Sequence, residues 1–407
     1  MGQNGFTEAG LRKMRDVLTR HVESGKIPGL VALVSRGDET HVEAIGTMRH
    51  DGGAPMRRDT IFRMASTSKP VAMAAAMALV DDCEIRLDDA VEQWLPELAG
   101  RQVLARIDGP LDETVPARRP ITVRDLLNST FGLGIDLTAM GSPITAALFE
   151  RGVFTQGGEP APEQDEWMSR LGTLPLMRQP GEQWQYHISH DVLGVLVSRV
   201  TGKPFETFLR ERVLDPLGMK DTGFHVPADK IDRLPPSYAP DPQTGEFHVW
   251  DEAEGGRYSA PPAFQSGGGG LVSTVDDYHA YFRMLLNQGT HGGQRILSRP
   301  AVELMTTNSL TAEQEAARSA LARNSVHVSF GQGQQGGWGF GMAVRTYRGD
   351  YAPVGQFGWD GGTGTSAYAD PHNQLTGVLL MQVGLTNPAP AQVIHDFWTT
   401  TYQSLED

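Results

Sequence analysis

Ser66 and Lys69, in the tetrapeptide Ser66-Thr67-Ser68-Lys69, are the residues whose types and spacing suit chemistry best. Positions three apart share one face of a helix, so the serine Oγ and the lysine Nζ can project together within hydrogen-bond reach. A serine hydroxyl becomes a nucleophile when a neighbouring base takes its proton. Lysine serves as that base only with a lowered pKa, and the first turn of a helix works in that direction because its positive dipole end disfavours an ammonium. The apolar run from Pro70 to Val80 that follows can add burial. A structural reading stands beside the chemical one. Ser and Thr are favoured N-caps, and Ser-x-x-Lys arises by chance in many chains. A lysine set against the dipole is the wrong charge for a structural role, which weighs toward chemistry.

The elements that must position this pair are legible around it. Ile61 to Ala65 is strand-like and runs directly into an Ala-, Met- and Leu-rich helix, so the junction falls on Ser66. Val31 to Gly37 and His41 to Thr47 are β-branched runs around a polar turn, which predicts a hairpin. Before them Phe6, Leu11, Met14, Leu18 and Val22 suit an amphipathic helix rather than a signal peptide. Residues 81 to 250 read mainly as helices, with 131 to 180 a long polar stretch punctuated by Gly and Pro. Ser273 and Asp276 form a candidate capping box for the next helix. Strand character then returns in Gly337 to Arg345, Thr365 to Pro371 and Leu375 to Val383, the last nearly continuous in apolar residues and so expected at the centre of a sheet. A closing helix runs from Gln392 to Leu405. The expectation is an α+β fold: residues 1–80 and 251–407 supply an antiparallel sheet flanked by helices, residues 81–250 a mainly helical inserted domain, and the active site lies between them.

Composition narrows the function classes. The 407 residues carry 35 Lys and Arg against 49 Asp and Glu, a formal charge of −14, and such a field repels nucleic acid and anionic membrane surfaces. Cys83 is the single cysteine, which excludes an intrachain disulfide and a tetrathiolate metal site. No run of 18 apolar residues occurs, so no membrane association is expected, and a cytoplasmic location is the default. Gly331 to Gly336 spells the dinucleotide fingerprint, but Gly337-Trp338-Gly339 follows it instead of a helix, so it reads as a Gly/Gln loop.

Five blocks in order, around Ile61–Pro70, Ile121–Gly134, Pro180–Phe224, Gly267–Tyr278 and Phe357–Pro371, resemble the serine β-lactamase family in its broad sense. That family includes class C β-lactamases, D-alanyl-D-alanine carboxypeptidases and the family VIII carboxylesterases, and the resemblance spans about residue 10 to 400. It implies that Ser66 is acylated, that no metal or organic cofactor is needed, and that Tyr186, at the tyrosine of the family's Tyr-x-Asn motif, assists proton transfer. A tyrosine suits that task if a cation such as Lys69 stabilises its phenolate. The resemblance further implies that the backbone N–H groups of Ser66 and Gly362 form an oxyanion hole.

Departures from the family pattern bear on substrate. Ile188 stands where class C enzymes carry asparagine and cannot donate to an acyl amide, while His187 and His190 flank the site and could assist. Trp359-Asp360-Gly361 replaces the family's Lys-Thr-Gly. The lost lysine removes an anchor for a substrate carboxylate, Trp359 offers an apolar surface, and Asp360 would repel an anion. Glycine at 361 and 362 lets the backbone approach a substrate. Asn128 and Ser129 carry a familiar Ser/Asn pair in the wrong order, expected as a helix end with an exposed turn. The expected function is hydrolysis of carboxylic esters of small neutral acyl groups. A β-lactamase or peptidase, an acyltransferase using the same acyl-enzyme, and a non-catalytic binding protein stay open as alternatives, as does assembly into a homo-oligomer.

Overall fold

The computed structural model describes residues 5–136, 139–154, 161–241, 243–324, 336–385 and 388–406. Gly331 to Gln335 of the Gly/Gln loop lie outside the described residues.

An eight-stranded sheet is built from β1 (Gly29–Arg36), β2 (Glu39–Arg49), β3 (Gly52–Pro55), β4 (Gly337–Trp338), β5 (Ala343–Val344), β6 (Phe357–Gly361), β7 (Thr365–Asp370) and β8 (Leu375–Met381). Its order is β4-β5-β6-β7-β8-β1-β2-β3, and its pairs are antiparallel. The early hairpin becomes one end of the sheet, and β1 pairs with β8 from Leu30 opposite Met381 to Arg36 opposite Leu375. Both strands are buried almost throughout because helices cover both faces, which explains their lack of alternation.

On one face α1 (Glu8–Glu23) lies beside the C-terminal helix Pro388–Gln403. Met14 and Leu18 pack with Leu30, Ala32, Val34, Leu379, Phe397 and Trp398. On the other face Val31, Leu33, Val378 and Leu380 meet α2 (Ser68–Asp81) and α3 (Val275–Leu286) in the largest core. Helix α2 is buried from Ser68 to Leu79, apolar on nearly every side, as a central helix should be. The helix Ile188–Thr201 packs beside it.

Several sequence expectations are corrected. The strand over Ile61 to Ala65 shrinks to Phe62–Arg63, paired with Val272–Ser273 outside the main sheet. Gly337 to Arg345 is two short strands around a glycine turn rather than one. Among its described residues the 131–180 stretch holds two helices, Pro143–Glu150, capped by Ser142, and Gln164–Gly172. The cap of α3 is Thr274, whose Oγ1 accepts from Asp277 N at 3.2 Å. Ser273-x-x-Asp276 and Thr274-x-x-Asp277 both fit the pattern, and Ser273 is occupied in its strand. Asn128 and Ser129 are buried, with Ser129 Oγ donated to by Ser189 Oγ at 3.2 Å, so no exposed turn exists there.

Candidate active site

The nucleophile turn is a 3-10 segment, Ala65–Thr67, leading into α2. Ala65, immediately before Ser66, sits at φ 45°, a left-handed conformation that costs a non-glycine residue energy. Its neighbours are pinned: Tyr278 Oη donates to Thr67 O at 2.6 Å, Ser68 Oγ accepts from Leu271 N at 3.0 Å, and Thr365 Oγ1 donates to Met64 O at 3.0 Å. Strand β6 crosses this turn so closely that a Cβ on Gly361 would collide with Thr365 Oγ1 and the Met64 carbonyl, so glycine there is a packing requirement.

Lys69 is fully buried and donates to Ser66 Oγ at 3.0 Å and to Gly268 O at 2.5 Å; its Nζ lies 3.2 Å from His187 Nδ1. Burial lowers its pKa to about 7, against the opposing pull of the Asp191 carboxylate. Tyr186 is hydrogen-bonded to the Ser66 side chain, accepts from Trp359 Nε1 at 2.7 Å, and presents its ring face to Lys69 Nζ at 4.5 Å. Burial raises its pKa well above the ordinary phenol value, with the Ser66 and Trp359 hydrogen bonds only partly offsetting this. The expected cation-stabilised phenolate is therefore corrected: an amine that is about half neutral near pH 7 faces a phenol that keeps its proton.

A family model described as Beta-lactamase matches residues 14–394. The chain belongs to the Beta-lactamase family. It is 41% identical over 367 residues to Protein Rv1367c of Mycobacterium tuberculosis, covering 88% of this chain and 87% of that protein. It is 34% identical over 275 residues to Esterase EstB of Burkholderia gladioli, covering 64% of this chain and 66% of that one. Among solved structures it resembles EstCE1, described as a hydrolase with promiscuous acyltransferase activity, with a TM-score of 0.76, 25% identity, and coverage of 96% of this chain and 99% of that one. Membership and these relatives make it an enzyme of the serine hydrolase class.

In this family member, Ser66, His187 and Gly362 open on one cleft of about 780 Å³. Phe154, Trp167, Phe224, Tyr238, Trp250 and Phe264 give it an aromatic wall. Gly362 lies in the turn between β6 and β7 with free space where a side chain would begin. Trp359, Asp360 and Ile188 are not brought to the cleft. Trp359 is buried among Trp184 and Trp338, where all three rings surround Arg318, and its contact with the site runs through Tyr186. Asp360 points the other way along the alternating strand, fully buried, and accepts from Tyr368 Oη at 2.7 Å. Ile188 packs in the core at the start of its helix. The expected stacking surface at Trp359 and charge repulsion at Asp360 thus do not arise at the substrate.

Sequence reasoning missed three groups at the site. Asp191 Oδ2 lies 3.2 Å from His187 Nε2, and its Oδ1 accepts from Ser266 Oγ at 2.5 Å and Gly268 N at 3.0 Å. Burial pushes its carboxyl up, but His187 and these hydrogen bonds outweigh that and leave it below its ordinary value. His187-x-x-x-Asp191 at a helix start was the available signal. The Gly268 carbonyl had none. Arg257, stacked 5.5 Å from the Trp250 ring, is the one Lys or Arg among the described cleft residues, at a position no motif marks.

Proposed function

We propose that this protein is a carboxylesterase that cleaves esters of neutral, apolar acyl groups through an acyl-enzyme on Ser66. The observation that carries the reading is the Ser66 Oγ hydrogen-bonded to a buried lysine of lowered pKa at the base of an aromatic cleft. Groups whose environments drive their pKa values apart divide into base and acid, and here Lys69 is the base and Tyr186 the acid. Lys69 takes the Ser66 proton as Oγ bonds to the carbonyl carbon. The N–H groups of Ser66 and Gly362 hold the tetrahedral oxyanion. The C–O bond to the alcohol then breaks, Tyr186 gives its proton to the departing oxygen, and the proton that Lys69 took returns to the phenolate, which resets both groups before deacylation. Water attacks the acyl-serine with Lys69 again as base.

An acetyl group fills little of about 780 Å³, and a volume of that order suits a drug-sized ligand. The small acyl group expected from sequence therefore belongs with a larger apolar partner in the same ester. The reading keeps residues 1–80 with 251–407 as one unit, 81–250 as the other, and the cleft between them; the contribution of sheet strands from both chain ends supports this.

The test is a series of p-nitrophenyl esters of graded chain length, with nitrocefin alongside and Ser66→Ala as control. Ser66-dependent ester cleavage with negligible nitrocefin turnover is the expected result. Ester cleavage that survives in Ser66→Ala, or nitrocefin turnover that exceeds it, overturns the assignment.

A further inference from the structure

His187 is placed by a distorted backbone. Its φ of 79° and ψ of −66°, with Ile188 N donating to Tyr186 O at 3.2 Å, form the rare, strained γ-turn. Such strain persists only where surrounding contacts over-determine it, and it clusters at functional sites. The result is an imidazole with Nδ1 at Lys69 Nζ and Nε2 at Asp191, each 3.2 Å away. Among the described residues the groups facing the ring are Lys69 from α2, Asp191 and His190 from the neighbouring helix turn, the Tyr186 ring at 5.9 Å, the Phe154 ring edge-on at 5.3 Å, and the glycine backbone at Gly268 and Gly269.

We propose that His187 is a positioning residue whose tautomer, fixed by Asp191, aims the lone pair of the Lys69 amine at Ser66. The inference rests on the esterase reading above. A neutral amine has two N–H donors and one lone pair. The Gly268 carbonyl can only accept, so it takes one N–H. Asp191 is a carboxylate, accepting from Ser266 and Gly268 N on one oxygen, so its other oxygen takes the proton on His187 Nε2. His187 Nδ1 is then a bare acceptor and takes the second N–H of Lys69. The remaining lone pair faces the Ser66 hydroxyl, where a general base needs it. In the opposite tautomer Nδ1–H would occupy that lone pair, and an N–H would point at Ser66 instead. Once Lys69 is protonated, its three donors find three acceptors in Ser66 Oγ, Gly268 O and His187 Nδ1.

Asp191→Asn tests this with almost no change of shape. Ser266 Oγ and Gly268 N both donate to one oxygen, so the amide oxygen takes that place and the amide nitrogen meets His187 Nε2, which reverses the tautomer. We expect kcat for a p-nitrophenyl ester to fall by about 100-fold or more with KM nearly unchanged, and the pH profile to lose its limb near 7. Nitrogen-15 spectra of histidine-labelled protein should show His187 protonated on Nε2 in the wild type and on Nδ1 in the variant. His187→Asn, whose Oδ1 falls near the Nδ1 position and which tolerates positive φ, should keep about a tenth of wild-type kcat, while His187→Leu should drop with Asp191→Asn. Wild-type kcat and pH profile in Asp191→Asn, or Nδ1 protonation in the wild type, overturns the proposal. A wild type inert to every ester overturns the esterase reading instead, and the tautomer then decides this one alone.

Discussion

Two buried cations flank the nucleophile in sequence, and their surroundings differ in kind. Arg63 donates to the Asp251 carboxylate at 2.6 Å, to Pro235 O at 2.6 Å and to Glu252 O at 2.9 Å. Lys69, six residues on, has among the described residues only uncharged acceptors in direct contact: Ser66 Oγ, Gly268 O and His187 Nδ1. A guanidinium with a buried carboxylate stays charged and clamps Pro235, Asp251 and Glu252 to the strand before Ser66. An amine among uncharged acceptors bears the desolvation cost almost alone, so it can shed its proton near pH 7. Burial gives a clamp or a base according to whether a carboxylate touches the cation.

The largest expected effect breaks the base. Lys69→Met should lower kcat/KM about 10³-fold, and Lys69→Arg should restore none of it because guanidinium holds its proton at every working pH. The same substitution should raise stability. The pKa of Lys69 falls from 10.5 unfolded to about 7 folded, so its penalty is absent above 10.5, grows as pH falls, and is complete below about 7. Thermal unfolding of Lys69→Met at pH 6 and pH 10 should show a larger gain at pH 6.

Breaking the clamp should act on the fold instead. Arg63→Met leaves Asp251 buried without its partner and should cost about 3–5 kcal/mol in urea unfolding, while the folded fraction keeps the wild-type pH profile. A smaller effect sharpens the contrast by pH alone. The base must be neutral, so kcat/KM should rise with pH through about 7 and, below it, fall about tenfold for each unit. The smallest comes from Arg58, which meets Asp276 at 2.7 Å in the open. Arg58→Ala should change unfolding by less than about 1 kcal/mol, since water rather than geometry sets the worth of an exposed pair.

The same contrast explains what was legible in the sequence. Ser66 and Lys69 could be found because i, i+3 spacing is local and an apolar helix announces burial. The β1–β2 hairpin and the central β8 were readable because their periodicity reports how many faces are covered. Arg63's partnership with Asp251 was not, because 188 positions separate the two and no local signal marks either. Trp359 and Asp360 were misplaced for a related reason. Their types suggested contact with substrate, but alternation along β6 sends Asp360 to Tyr368, and the Trp184–Trp338 packing holds Trp359 behind Tyr186. The helices within 131–180 were hidden by Gly and Pro that terminate short elements rather than prevent them.

The central claim is that Ser66 carries the acyl group. Mixing the protein with p-nitrophenyl butyrate, quenching in acid within the first turnover and mapping peptides by mass spectrometry tests it most directly. The account expects one butyryl group, on the Ser66 peptide, absent from Ser66→Ala. Ester turnover with no butyryl group on Ser66, or with the group on another residue, would contradict it.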